Sequence, residues 1–303
     1  MNRTTRGVAL ALATALISGV AIFVNSYAVK EIADAALFTT LKNSVAALAL
    51  LGVTVLAARR PLPLPAGART WMGMTLVGVF GGGVAFLLFF SGLAMASAPS
   101  AAFIHKTLFV WVALLAVPFL GERLGLVQVG ALGALLASQL LITPPTGVTW
   151  GAGETLIVAA TLIWAVEVMF AKRLLTRVDP LVLGVGRLGI GLVVLVGYLG
   201  LSGKVGALVA LDASQWTWVL VTGALLAGYV GTWFAALQRA PASVVASVLV
   251  LGAPITAVLA ALANGTIPAA LPLAGYTLIV LAAGGLALVA VRRSRAAPVA
   301  LGG

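Results

Sequence analysis

The chain has 303 residues, 62% hydrophobic and 8% charged, with a formal net charge of +11 and a mean hydropathy of +1.18. No soluble domain of this length buries that much apolar surface, so the chain reads as an all-α integral membrane protein. The lack of cysteine excludes disulfides and thiolate metal sites, the single histidine argues against a histidine-rich metal centre, and the positive charge lies between apolar runs rather than on a polar surface, which excludes a nucleic-acid interface.

A spanning helix needs about 20 apolar residues at about 1.5 Å each. Ten runs meet that requirement, predicted over 7–29, 36–57, 72–95, 99–119, 124–142, 150–172, 180–200, 216–238, 241–263 and 270–290. The first is too long for a removed leader and lacks its cleavage pattern, so it is expected to stay as a helix. The loops alternate in charge. On the side of the N-terminal tail stand Arg3, Arg6, Arg59, Arg60, Arg69, Arg123, Lys172, Arg173, Arg177, Arg239, Arg292, Arg293 and Arg295; the other side has only Lys30 and Lys204. The positive-inside rule then puts both termini in the cytoplasm, in a multi-pass protein of the cell's inner (plasma) membrane.

An odd number of spans per half makes the second half enter from the opposite face, as an inverted repeat requires. Residues 1–146 and 147–303 are expected to form the first and second five-helix repeats of one membrane domain. The halves share landmarks. Asp34 precedes Lys42 by eight residues, and Asp179 precedes Arg187 by eight. Ala98-Pro99-Ser100-Ala101-Ala102 opens span four, and Ala240-Pro241-Ala242-Ser243 opens span nine. Span four runs into Leu120-Gly121-Glu122-Arg123-Leu124-Gly125, followed by Gln128 and Gly130; span nine ends in Asn264-Gly265.

These motifs, with Asp179-Pro180, Pro254 and Gly275, resemble the drug/metabolite transporter superfamily of the EamA type over nearly the whole chain. The sequence departs from that pattern at Asn264-Gly265, where a Gly-Glu pair is common, and at Lys42, where arginine is frequent. The resemblance implies two inverted five-helix repeats around a central cavity, with spans five and ten at the periphery.

Three cations, Lys42, Lys106 and Arg187, fall inside spans. Each uncompensated charge at the bilayer centre costs about 2.5–3.5 kcal/mol. Rise per residue puts Lys42 and Lys106 about 9–10 Å below the outer surface, Glu154 about 6 Å below it, and Arg187 and Glu167 about 7–10 Å from the inner one. Lys42 and Lys106 either snorkel to the headgroups or share a site for an anionic group. Arg187 either lines that site or pairs with Glu167. Glu154 suits a solvated helix N-terminus, and Glu167 has Lys172 and Arg173 near it in sequence. His105 is a packing hydrogen-bonder or a proton relay; successive helical residues point about 100° apart, so it and Lys106 are not expected to face one cavity squarely. Trp111, Trp164 and Tyr229 either wall the cavity or pack, whereas Trp71, Trp150 and Trp216 sit at span ends as interface anchors. Gly81-Gly82-Gly83, and Gly228 with Gly231, allow close approach or bending, and Pro118 and Pro254 mark candidate kinks.

No catalytic signature is present: no His-Glu-x-x-His, no Gly-x-Ser-x-Gly and no phosphate-cradling Gly-Lys-Ser/Thr loop. No enzyme activity and no cofactor or metal are expected. The expected function is secondary active transport, export or exchange, of a small organic metabolite such as an amino acid, by alternating access in the lipid bilayer. Lys42 and Lys106, with His105 beside them, would hold the anionic group. Trp111, Trp164 and Tyr229 would contact the apolar part, and Glu167 is the candidate for coupling to protons. Efflux of lipophilic cations, exchange of phosphorylated metabolites and a non-transporting membrane scaffold are the alternatives. No oligomer is specified.

Overall fold

The computed structural model describes residues 2–32, 34–57, 65–143, 150–209 and 211–296. Arg59 and Arg60 lie outside the described residues. Ten helical segments follow one another: α1 (Arg3–Glu31), α2 (Ala35–Ala57), α3 (Ala68–Leu93), α4 (Ala98–Lys106 continued by Leu108–Leu120), α5 (Leu126–Ile142), α6 (Ala152–Leu174), α7 (Pro180–Leu201), α8 (Ala213–Arg239), α9 (Ala242–Leu249 continued by Gly252–Asn264) and α10 (Ala270–Ala296). Among the described residues nine are long and apolar enough to cross a bilayer; α5, with 17 residues, is the short one. Large apolar side chains such as Leu48, Leu56, Val193, Leu262 and Leu281 point outward, as expected of helices solvated by lipid.

The sequence landmarks turn out to be helix caps. Asp34 Oδ1 accepts the amides of Ala36 and Leu37 at 3.0 and 2.9 Å, and Asp179 Oδ1 accepts that of Leu181 at 2.8 Å with Pro180 in the first turn. Each acid therefore satisfies orphan donors and favours the helix dipole. At the other end of the repeat, α4 and α9 both stop at a left-handed glycine, Gly121 (φ 67°) and Gly265 (φ 64°), a conformation that costs a residue with a Cβ.

The packing repeats as well. α1 lies along α8 as α6 lies along α3, and α2 contacts α8 as α7 contacts α3. α1 meets α9 as α6 meets α4, while α2 with α7, α4 with α9 and α5 with α10 pair across the two halves. The match extends to single residues. A Cβ on Gly78 of α3 would lie 2.5 Å from Ile190 Cβ of α7, and one on Gly223 of α8 would lie 2.6 Å from Val45 Cβ of α2. The offset that carries Gly78 onto Gly223 also carries Val45 onto Ile190 and Lys42 onto Arg187. The chain is thus two inverted copies of one five-helix unit. α5 and α10 pack mainly on each other at the edge of the bundle.

The described loop cations separate by end. Arg3, Arg6, Arg69, Arg123, Lys172, Arg173, Arg177, Arg239, Arg292, Arg293 and Arg295 belong to the end where α1 begins, and Lys30 and Lys204 to the opposite end. At that opposite end Lys204 Nζ donates to Asp34 Oδ2 at 2.5 Å. Partial burial opposes the Asp34 charge, but the Lys204 ammonium and the two capping amides hold this carboxyl below its ordinary range. The same hydrogen bond raises the Lys204 ammonium.

Two of the spanning helices are interrupted. The break in α4 falls at Thr107, where the amide and hydroxyl both return to Ile104 O (3.0 and 2.6 Å), not at Pro118, which lies inside the second segment. α9 breaks at the matching place, Val250–Leu251, one turn before Pro254. α3 is also irregular. Its middle, Val77–Val84, is wound as a π-helix around the glycine triplet.

Candidate functional site

The triplet places α3 against two neighbours. A Cβ on Gly82 would strike the Arg187 carbonyl oxygen, one on Gly83 would lie 2.7 Å from Val194 Cβ, and one on Gly81 would occupy the Glu167 carboxylate. The π-helical winding leaves the Gly81 carbonyl to side chains: Trp164 Nε1 and Arg187 Nη2 each donate to it at 3.0 Å. Arg187 also grips Glu167 with two parallel bonds, Nε to Oε1 at 2.5 Å and Nη2 to Oε2 at 3.2 Å. Both charged side chains are buried. This pair is the scaffold of the α3–α6–α7 contact, and it engages Glu167 in place of Lys172 and Arg173, which bond to carbonyls at the basic end.

Lys42 occupies the mirrored position without the partner. The offset that takes Lys42 to Arg187 takes Ile22 to Glu167, so the first half has an isoleucine where the second has the carboxylate. Lys42 is 7% exposed and has no salt bridge to an acid among the described residues. Its ammonium lies 5.1 Å from the Phe38 ring centre and 5.8 Å from that of Phe90. Aromatic faces offset part of the cost of burying a cation, but they do not neutralise it.

From Phe90 a chain of rings crosses the molecule. Phe89 stands against Phe90, Trp164 and His105 at 5.4, 5.5 and 4.9 Å; Trp164 meets His105 at 5.1 Å and Phe86 at 5.3 Å; Arg187 lies over Phe86 at 5.7 Å. His105 Nδ1 is buried with no hydrogen-bond partner in this cluster. The Phe86, Phe89 and Phe90 rings were not among the expected site residues, although their spacing on one helix face is visible in the sequence.

Next to the cluster, between the break of α4 and the break of α9, is a cavity of about 100 Å³. It is lined by His105, Lys106, Leu108 and Phe109 from α4, by Ala246, Leu249, Val250, Gly252 and Ala253 from α9, and by Ser18 and Ile22 from α1. His105 and Lys106 do both face it, contrary to the angular argument. They are the last residues before the break, and the cavity lies around the end of their half-helix. Lys42 is outside this lining, so the two lysines are joined through Phe90, Phe89 and His105 rather than across one open space.

The remaining expected residues are placed as follows. Trp164 is in the ring cluster. Tyr229 is stacked on Trp233 (6.1 Å, 10°) in α8. Trp111 is 37% exposed and donates to Thr107 Oγ1 at 3.1 Å; it is not among the residues lining the cavity, because the helix restarts at Leu108 with Trp111 on its outer face. Glu154 accepts the Gly151 amide at 3.1 Å and so closes the first turn of α6. Trp71, Trp150 and Trp216 are exposed at helix ends.

Glu122 has a role that its local sequence did not reveal. Its carboxylate reaches from the corner after α4 to the start of α9, where it accepts the Ala242 and Ser243 amides (2.5 and 3.2 Å) and the Ser243 hydroxyl (2.5 Å). Among the described residues no side chain from another helix caps the start of α4, where Ser97 Oγ accepts the Ser100 amide.

Broken helices facing each other around a cavity with a few polar groups on an apolar wall are a recurring architecture for binding sites in secondary transporters. Comparison with known proteins identifies the fold and the family. A solved structure titled only "Crystal structure of protein" superimposes with a TM-score of 0.78 at 17% identity, over 95% of this chain and 99% of that one, which establishes a shared fold. No curated protein is significantly similar in sequence. The model of the EamA-like transporter family matches twice, over residues 5–143 and 151–289. The two matches follow the two inverted halves, and the chain belongs to the EamA-like transporter family, a membrane transporter of the drug/metabolite transporter superfamily.

Proposed function

We propose that the chain is a secondary active exporter or exchanger of a small organic metabolite that carries an anionic group, such as an amino acid, and that it works by alternating access. The observation that supports this most is the cavity between the breaks of α4 and α9, with Lys106, which has no salt bridge among the described residues, and the unsatisfied His105 Nδ1 on its wall. The ammonium binds the anionic group of the substrate, and Leu108, Phe109, Leu249 and Val250 border its remainder. At about 100 Å³ the cavity is smaller than the roughly 300–1,000 Å³ of typical ligand pockets. Loading therefore requires α4 and α9 to separate, and the two breaks are the joints. Lys42 supplies a second positive charge through the ring cluster as the site opens.

Efflux of lipophilic cations is disfavoured by the same geometry. It needs an accessible carboxylate, whereas Glu167 is gripped by Arg187, and Glu154 and Glu122 cap helices. Proton coupling through Glu167 would require breaking both bonds to Arg187. The basic end is proposed to face the cytoplasm, in the cell's inner membrane.

Counterflow in proteoliposomes tests the reading. Vesicles preloaded with a panel of amino acids, sugar phosphates and cationic dyes are expected to exchange a carboxylate- or phosphate-bearing compound, with its amide or ester analogue failing to compete. Exchange of the cationic dyes alone would overturn it.

A further inference from the structure

A second and larger cavity, about 540 Å³, opens at the basic end between α1, α4, α6, α8 and α9. It shares no lining residue with the cavity at the helix breaks. Four cations line it, Arg3, Lys172, Arg173 and Arg239, against one carboxylate, Glu122. That carboxylate is committed to the start of α9 and forms no salt bridge with the four. The cations are held instead by main-chain carbonyls at helix ends: Lys172 Nζ by Leu237 O and Ala240 O, Arg3 Nη2 by Gln238 O at 3.0 Å, Arg173 Nη2 by Phe119 O at 2.5 Å and Arg239 Nη1 by Ala235 O at 2.8 Å. Carbonyls orient the groups and leave their charge in place.

An arginine has five N–H donors, and each of these three gives one to a carbonyl. The remaining donors are planar forks, the geometry that matches phosphate and carboxylate oxygens. A concave wall of one charge sign also concentrates the field inside it. An excess of three positive charges without a pairing acid suits a multiply charged anion better than a single carboxylate.

We propose that this basin is a binding site for a phosphate-bearing anion, separate from the transport cavity. A soluble phosphate ester and an anionic phospholipid headgroup present the same group, and basic pockets between membrane helices suit either. Arg3 and Arg173 supply the exposed forks, Lys172 supplies a point charge at the base, and Arg239 supplies the fourth cation from the end of α8.

The full chain in neutral detergent, titrated calorimetrically with pyrophosphate and separately with micelles containing phosphatidylglycerol, tests this. Saturable binding is expected, weaker as salt rises, at least ten-fold weaker in the Arg3→Gln, Arg173→Gln double variant and unchanged in Lys30→Gln, which removes an exposed cation at the opposite end. Pyrophosphate binding identifies the soluble ester as the source; binding of phosphatidylglycerol without pyrophosphate identifies the headgroup. Arg239→Gln removes a cation whose carbonyl bond lies within its own helix, so its folding is secure, and it too must weaken binding. Binding of neither probe, full affinity in the arginine variants, or an equal loss in Lys30→Gln would each overturn the proposal.

Discussion

Arg187 and Lys42 occupy equivalent positions and meet opposite fates because of one other residue. Glu167 neutralises Arg187, while the matching Ile22 leaves Lys42 bare. Breaking a buried ion pair on one side costs about 3–5 kcal/mol, whereas replacing both members with apolar groups of similar size is close to neutral. Glu167→Met is therefore expected to lower the unfolding temperature in detergent sharply, and Glu167→Met with Arg187→Met to recover most of the loss. Equal damage in both variants would mean that the pair does more than balance charge. The sequence shows the two cations and their shared spacing after Asp34 and Asp179, since caps are local features. It does not show which acid finds Arg187, because that depends on α6, α7 and the Gly81 carbonyl meeting at one point.

At the scale of the element, α3, α4 and α9 set the site through their irregularities. The π-helical middle of α3 exists because three glycines let α6 and α7 approach. Gly82→Ala is expected to abolish folded protein, since its methyl collides with the Arg187 carbonyl; Gly189→Ala, where a Cβ meets nothing, should stabilise by about 0.5–1 kcal/mol through helix propensity. Yield by fluorescence-detected gel filtration, with unfolding curves for the variants that fold, separates the two. Helix positions were legible from apolar run lengths, and the ends of α4 and α9 from Gly121 and Gly265. The breaks were not. For α9 the sequence offers only Pro254, four residues after Val250, and α4 breaks at Thr107, whose hydroxyl takes over a carbonyl at a place no residue type marks. The facing of Trp111 is illegible for the same reason, since it depends on where the helix restarts.

Over the whole molecule, the inverted repeat is broken chemically at the two ends. The basic end is tied by side chains reaching across helices: Glu122 to α9, Lys172 and Arg3 to the end of α8, and Arg173 to the end of α4. Among the described residues, the opposite end has the Asp34–Lys204 bond and the Gln215 amide on Glu31 O. Glu122→Gln leaves donors facing donors at the start of α9 and is expected to loosen the basic end, read as faster labelling of a cysteine introduced at Thr176 on the wall of the large cavity. The Asp34–Lys204 pair predicts a pH window. Asp34 is depressed, so its contribution is complete above its ordinary value near 3.8 and is lost as pH falls through its folded value. Lys204 is raised, so its contribution is complete below its ordinary value near 10.5 and is lost as pH rises through its folded value. The stability difference between wild type and Asp34→Asn should thus be flat across neutral pH and shrink at both extremes, by a small amount because the pair is exposed.

In the proposed transport cycle, Lys106 holds the transported anion at the joint between α4 and α9. The decisive measurement is initial-rate flux of an exchanged substrate in proteoliposomes for wild type and Lys106→Ala, with Trp111→Ala as the outward-facing control. Loss of one charge-assisted hydrogen bond, about 1.5–3 kcal/mol, lowers kcat/KM by about 10- to 100-fold. That fall in Lys106→Ala, with Trp111→Ala near wild type, is the predicted result; a folded Lys106→Ala protein with unchanged kcat/KM for every exchanged substrate would contradict it.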